Sequence, residues 1–392
     1  MSTPESATNF DFAGPARIIF GAGRAAELPQ LAQSFGSRVL LVAGRNSERR
    51  ARLAGSLESA KLNVRIFEII GEPSLELADA GAQVAREFSA DVIVGFGGGS
   101  AIDAAKAIAG LATNRGSALD YVEVIGRGAS LQKAALPWIA VPTTAGTGAE
   151  VTKNAVLFAK EQQVKVSLRS PLLFAHVALV DPELSVQLPP ALTASTGMDA
   201  LTQLIEAFVS KKSNTFTDAL CADALPRVAR ALPIVFAEPQ NLTARSDMAY
   251  GSLCSGLALA NAGLGAVHGL AAPIGGMFDA PHGAICAALL APIWERNLAA
   301  LATSAAGDRV VSRYETISRW LTGSPSATAS DGANWVADRV SSFRIPKLQA
   351  YGIGAEHIDE IVDRAMRASS TKGNPVVLSR DSFAAAVRAA LA

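Results

Sequence analysis

Four histidines occur in 392 residues, and two of them, His268 and His282, fall in one stretch, VHGLAAPIGGMFDAPHG. Each is followed by glycine, and the residues around them are almost wholly apolar. An imidazole so placed is either a hydrogen-bonded core side chain or a metal ligand. A second segment bears on the choice. In TGMDALTQLIEA, Asp199, Gln203 and Glu206 stand at i, i+4 and i+7, one face of a helix among apolar neighbours. Carboxylates are rarely buried alone, so this face is either salt-bridged or turned toward a cation. Asp199 with His268 and His282 makes a workable divalent-metal site with an open position for an oxygen ligand. Spacing alone leaves that reading and plain core packing equally open. The glycines after the histidines leave room for a ligand to come close.

Two loops suggest a different chemistry. DVIVGFGGGSAIDAAKAIA is an apolar strand, then Gly97, Gly98, Gly99 and Ser100, then a helix. Consecutive glycines let a backbone approach a pyrophosphate, and the helix start offers unpaired N–H groups and the positive dipole end. VPTTAGTGAEVT is again a strand end, followed by Thr143, Thr144 and Thr147 among small residues. One such loop could be structural; two, both after strands, point to a bound dinucleotide. IIFGAGRAAE also matches G-x-G-x-x-A, but no acidic residue follows about 20 positions on to hold a ribose, so it reads as a tight turn.

The elements that must position these residues change along the chain. ARIIF, RVLLVA, NVRIFEI, DVIVGFGG, WIAVPTT and HVALVDPEL are short β-branched runs, most of them separated by helical segments. That alternation predicts a parallel sheet covered on both faces, with an extra ribbon at EVTKNAVLFAKEQQVKVSLR. After about Pro189 helices dominate. The expected fold class is an N-terminal α/β nucleotide-binding domain over residues 1–188 plus an all-α C-terminal domain over 189–392, with the ligand site in the cleft joining them.

Composition narrows the function classes. The chain is 49% hydrophobic and carries equal numbers of basic and acidic residues, 35 each, which argues against nucleic acid or an acidic membrane as partner. Three cysteines, Cys221, Cys254 and Cys286, show no CxxC pairing and fit a reducing, cytoplasmic setting. The N-terminus lacks a signal-peptide pattern. Residues 255–278 are uncharged for longer than a bilayer span of about 20 residues, but Pro273 and Gly275–Gly276 interrupt them. They are expected to form one fully buried helix.

GGGSAIDAAKAIA, VPTTAGTGAEVT, GMDALTQLIEAFVS, HGLAAPIGGMFDAPHG and the late KGNP together resemble the iron-containing (group III) alcohol dehydrogenase family. The resemblance runs in order over nearly the whole chain. It implies a dehydroquinate synthase-like fold and hydride transfer between NAD(P) and a small alcohol, aldehyde or ketone. It also implies one Fe²⁺ or Zn²⁺ and a homodimer or larger homo-oligomer. Carried over by position, Gly97, Gly98, Gly99 and Ser100 hold the pyrophosphate, and Thr143, Thr144 and Thr147 line the cofactor. Asn154 and Lys165 match positions near the nicotinamide ribose, and Asp199, His268 and His282 match three metal ligands. No catalytic residue beyond the metal ligands is assigned.

Three positions depart from the family pattern. The usual D-x-x-x-H helix has Gln203 at the fourth ligand position. Ala272 stands where a further histidine, close to the nicotinamide, is usual. Gly44 and Arg45 follow the second strand, where NAD-preferring members often carry an acid, with Arg49 and Arg50 nearby. Glycerol dehydrogenases keep only Asp-His-His, and maleylacetate reductases work without metal. A metal-independent reductase of that type is therefore an alternative, as is a non-catalytic nucleotide-binding protein. A lyase of the dehydroquinate synthase type is disfavoured by the motifs.

Overall fold

The computed structural model describes residues 8–45, 47–304 and 307–391. They divide into two compact units, residues 13–186 and residues 187–391, the latter joined by 8–12. Residues 8–12 belong with the second unit because Phe12 packs edge-on against Phe216, ring centroids 4.4 Å apart.

In the first unit the strands are β1 (Arg17–Phe20), β2 (Arg38–Gly44), β3 (Asn63–Ile69), β4 (Val92–Gly97), β5 (Trp138–Pro142), β6 (Asn154–Ala159), β7 (Val164–Arg169) and β8 (Val177–Val180). Its helices are α1 (Leu28–Gln33), α2 (Ser47–Ser59), α3 (Leu75–Glu87), α4 (Gly99–Thr113) and α5 (Ala118–Tyr121). Six strands form one sheet in the order β1-β8-β5-β4-β2-β3, parallel at every pairing, while β6 and β7 make a separate antiparallel ribbon. Strand side chains alternate faces. Leu40, Val42 and Ile93 accordingly join one core cluster, and Val39, Leu41, Val92 and Val94 join another. A sheet buried on both faces explains why β2, β4 and β5 read as unbroken apolar runs.

The second unit is helical: α6 (Pro190–Val209), α7 (Thr215–Ala237), α8 (Leu242–Ala262), α9 (Ala266–Met277), α10 (His282–Leu301), α11 (Gly307–Thr322), α12 (Ala329–Ser342), α13 (Ile358–Arg367) and α14 (Arg380–Leu391). α6 is buried on nearly every side from Gly197 to Val209 and packs against α7, α8 and α10.

One expectation fails here. Residues 255–278 are not a single helix: α8 ends at Gly263, and α9 leaves at 100° to it. Gly263 adopts φ +72°, which turns the chain where an ordinary side chain would be strained. Asn374 then accepts from the Ala266 N–H at 3.1 Å, capping the new helix. Among the described residues, the single helix long and apolar enough to cross a bilayer is instead α10, and 67% of its apolar 18-residue window is buried within the fold.

Candidate functional site

The nucleotide loops come first, because the sheet dictates them. In the β4–β5 register Gly97 lies opposite Pro142, so the loops after both strands leave side by side. The Thr143 N–H donates to the Gly97 carbonyl at 2.9 Å. Gly97 sits at φ +152°, and a Cβ there would come within 2.7 Å of the Ala101 Cβ. A Cβ on Gly98 would meet Thr144 Cγ2 at 3.3 Å, and one on Gly99 would meet Thr147 Cγ2 at 2.9 Å. The structure thus brings Gly97, Gly98, Gly99 and Ser100 together with Thr143, Thr144 and Thr147. No side chain caps the start of α4, and no acid occupies its first turn. A bare, glycine-lined start to a long helix fits a pyrophosphate. The other glycine motif does not. The Gly23 and Ala25 N–H groups already donate to the Asp181 carboxylate, at 3.1 and 2.8 Å, as a tight turn requires.

Asn154 and Lys165 are not brought together. Register pairs Asn154 with Arg169 and Lys165 with Phe158, so they stand four residues apart along the ribbon, roughly 13 Å. Lys165 Nζ pairs with Glu72 at 3.0 Å, and Asn154 Oδ1 accepts from Arg169 at 3.1 Å. A residue that sequence reading missed does the joining. Lys106 on α4 is wholly buried, and its ammonium donates to the Ala149 carbonyl and the Thr152 hydroxyl at 2.8 Å and to the Asn154 carbonyl at 2.5 Å. It ties the helix of one loop to the end of the other.

The second cluster is built from side chains on α6, α9 and α10. Asp199 Oδ1 lies 3.3 Å from His268 Nε2 and 3.7 Å from His282 Nε2. Cys286 Sγ lies 3.8 Å from His268 Nε2 and 3.6 Å from His282 Nε2. The four ligand atoms are all within 4.8 Å of one another. The glycines beside the histidines serve packing rather than ligand access. A Cβ on Gly283 would collide with the Ser195 carbonyl of α6, and one on Gly269 with the Thr371 hydroxyl. Their bareness lets α10 and the 370–373 turn close on the cluster.

Comparison with known proteins agrees with both regions. Residues 15–182 match the family described as iron-containing alcohol dehydrogenase, and residues 193–391 match its Fe-containing C-terminal family. The chain belongs to the iron-containing alcohol dehydrogenase family. It is 32% identical to the NAD-dependent methanol dehydrogenase of Bacillus methanolicus over 98% of this chain and all of that one. The crystal structure of a 1,3-propanediol oxidoreductase superposes with a TM-score of 0.89 at 31% identity, covering 97% of this chain and all of that chain. Sulfoacetaldehyde reductase from Bifidobacterium kashiwanohense, solved with NAD⁺, gives 0.86 at 30% identity over 98% of this chain and all of that one. As a family member the protein is an enzyme, an NAD-dependent oxidoreductase of alcohols or aldehydes.

The family uses a divalent cation, and this donor set fits one. Asp199 is 2% exposed, and its Oδ1 accepts no hydrogen bond from the protein. A buried carboxylate oxygen left bare while two imidazoles and a sulfur converge on it fits a cation. Burial would raise Asp199, but His282 and His268 hold it below the ordinary carboxylate range. Burial would lower His268, but the Cys286 sulfur and the Glu206 carboxylate hold it well above the usual imidazole range.

The other two members of the Asp199 helix face act behind the cluster. Gln203 donates from Nε2 to Asp199 Oδ2 at 3.2 Å, and its Oε1 lies 2.7 Å from the Ser255 hydroxyl that donates to it. Glu206 Oε2 lies 2.6 Å from His268 Nδ1, and its Oε1 accepts from the Val267 N–H at 2.7 Å. That holds a proton on His268 Nδ1, so in the neutral imidazole the Nε2 lone pair is left for a cation shared with Asp199.

Proposed function

We propose that the protein is an NAD(P)-dependent alcohol dehydrogenase and aldehyde reductase acting on a small substrate. In this reading the α/β unit holds the cofactor, and the helical unit holds a divalent metal and the substrate. Gly97, Gly98, Gly99 and Ser100 cradle the pyrophosphate, with Thr143, Thr144 and Thr147 alongside. Asp199, His268 and His282 hold Fe²⁺ or Zn²⁺. The observation that carries the reading is the unbonded Asp199 Oδ1 facing two imidazole nitrogens in a buried cluster.

The metal supplies Lewis-acid polarisation of the substrate oxygen, and nicotinamide supplies the hydride acceptor or donor. The chain's own part is preorganisation. Glu206 sets the tautomer of His268, Gln203 steadies Asp199, and Lys106 holds the two cofactor loops in register. The residue at 272 is alanine, so no imidazole stands there to take or give the substrate proton.

NADPH use at least comparable to NADH is part of the proposal. β2 ends at Gly44 with no carboxylate to repel a 2′-phosphate, and the exposed Arg45 follows. Arg49 reaches the Leu184 carbonyl at 3.1 Å, and Arg50 pairs with Glu68, which leaves Arg45 as the cation for that phosphate.

A panel of small alcohols and aldehydes with NAD(H) and NADP(H), run before and after chelation and with Zn²⁺ or Fe²⁺ restored, tests this. Steady turnover lost on chelation and regained with metal is expected. Full activity after exhaustive chelation would make the protein a metal-independent reductase of the maleylacetate type. Tight cofactor binding with no turnover on any substrate would make it a binding protein.

A further inference from the structure

We propose that Cys286 is the fourth protein ligand of the metal, as a thiolate, in the place that the family's D-x-x-x-H pattern gives to residue 203. The inference rests on the reading of Asp199, His268 and His282 as metal ligands.

Three observations carry it. Gln203 is committed elsewhere: its amide nitrogen bonds the far oxygen of Asp199, and its amide oxygen faces Ser255. A helix face that would normally supply the fourth donor therefore supplies a support instead. Cys286 lies one turn after His282 on α10, so both side chains issue from the same face. It is 0% exposed, and its sulfur lies within 4 Å of both imidazole nitrogens that also face Asp199.

The separations have the right size. Zinc bonds of about 2.0–2.1 Å to nitrogen or oxygen and about 2.3 Å to sulfur, at tetrahedral angles, put nitrogen and oxygen ligands roughly 3.4 Å apart and nitrogen and sulfur roughly 3.6 Å apart. The nitrogen–oxygen edges here are 3.3 and 3.7 Å, and the nitrogen–sulfur edges are 3.8 and 3.6 Å. A hydrogen-bonded thiol would satisfy one imidazole and leave Asp199 Oδ1 bare; a shared cation satisfies all four atoms at once.

Charge gives the consequence. Asp199 and a Cys286 thiolate bring two negative charges to a doubly positive ion, so the ion and its four ligands are neutral together, and the Glu206 carboxylate behind His268 is a further negative charge outside that count. A thiolate is also a soft donor, and a site of one carboxylate, two imidazoles and one thiolate favours Zn²⁺ over Fe²⁺.

Cobalt provides a readout independent of activity. The apoprotein is titrated with Co²⁺ and its spectrum recorded, in the parent chain, in Cys286→Ser and in Cys221→Ser as a control. The expected result is a sulfur-to-cobalt charge-transfer band in the near ultraviolet in the parent and in Cys221→Ser. It should be absent in Cys286→Ser, whose Zn²⁺ affinity should fall by more than about a hundredfold, beyond the usual effect of losing an outer partner. Visible cobalt bands without the charge-transfer band in the parent, or a band that survives in Cys286→Ser, overturn the proposal and leave the metal reading standing. No cobalt binding at all overturns both. If Cys286→Ser does not fold, X-ray absorption of the zinc-loaded parent decides: one sulfur neighbour at about 2.3 Å is expected, and a shell of nitrogen and oxygen alone overturns the proposal.

Discussion

The loops around Gly97 and the cluster around Asp199 are assembled from different parts of the chain. The first is backbone. Its glycines are there because Thr144, Thr147 and Ala101 already fill the space a Cβ would need, and its N–H groups project from the start of α4. The second is side chain. Its donors come from three helices, and two of them are held by an outer partner: Asp199 by Gln203 and His268 by Glu206. A backbone site tolerates change in most side chains but none in shape. A side-chain site tolerates a change in shape better than the loss of a single donor. The two regions should therefore break in different ways.

The sharpest break is His268→Ala. It removes one donor and leaves Glu206 facing an empty space. Purified variant should carry no stoichiometric metal by elemental analysis, and turnover should fall about a thousandfold or more, several kcal/mol of transition-state stabilisation. Cofactor affinity, read by NAD(P)H fluorescence, should stay within about threefold of the parent. Normal metal content in this variant would remove His268 from the site.

Gly98→Leu is the mirror experiment. The new side chain starts 3.3 Å from Thr144 Cγ2 and projects where the pyrophosphate would lie. Cofactor affinity should fall roughly tenfold to a hundredfold, about 1.4–2.7 kcal/mol, with metal content unchanged. If a folded Gly98→Leu protein binds NAD(P)H as the parent does, the loop has been misassigned.

What the residues alone disclose follows the same division. Glycine runs after apolar strands are local signals, so both loops, the strands and the β6–β7 ribbon are legible in the chain itself. Asp199, His268 and His282 are legible because histidine is rare in this chain and apolar flanks make it conspicuous. Cys286 is not. A buried cysteine behaves as a small apolar residue, and little within its own helix distinguishes it from a packing side chain. Its meaning lies in α9 and α6, which the chain folds next to it. The spacing of four from His282 is the available signal. The bend between α8 and α9 is hidden for a related reason: an uncharged run looks continuous until Gly263 turns it. Asn154 and Lys165 are legible only through the family pattern, and they stand four residues apart along the ribbon.

The α/β unit also holds a buried carboxyl, and it should make stability depend on pH near neutrality. Glu150 is 3% exposed, and burial pushes its carboxyl up to about 7, with its own backbone N–H and Lys106 pulling the other way. The folded form thus binds a proton that the unfolded chain releases near its ordinary value of 4.5. Stability from this group is complete below pH 4.5 and is lost as pH rises through 7. The loss is at most roughly 3 kcal/mol. Glu150→Gln should flatten the fall in Tm between about pH 5 and pH 8. An unchanged slope would mean that Lys106 and Asp103 absorb the charge.

The finest distinction is whether Glu206 merely packs or sets the His268 lone pair. Its two oxygens do separate jobs, one facing His268 Nδ1 at 2.6 Å and the other accepting from the Val267 N–H at 2.7 Å. Glu206→Gln keeps the volume but offers one acceptor where two are needed, and it removes the negative charge that raises the basicity of His268. A histidine freed to carry its proton on Nε2 points a hydrogen, not a lone pair, at the cluster. Metal affinity should then weaken about tenfold to a hundredfold, 1.4–2.7 kcal/mol, the usual cost of losing such a partner. Competition with a chromophoric chelator measures it directly, and Glu206→Asp should recover part of the loss by keeping the charge at longer reach. A packing role predicts something else: Tm would drop in both variants while the metal dissociation constant held. That outcome would place the control of His268 in Asp199 and Cys286 alone.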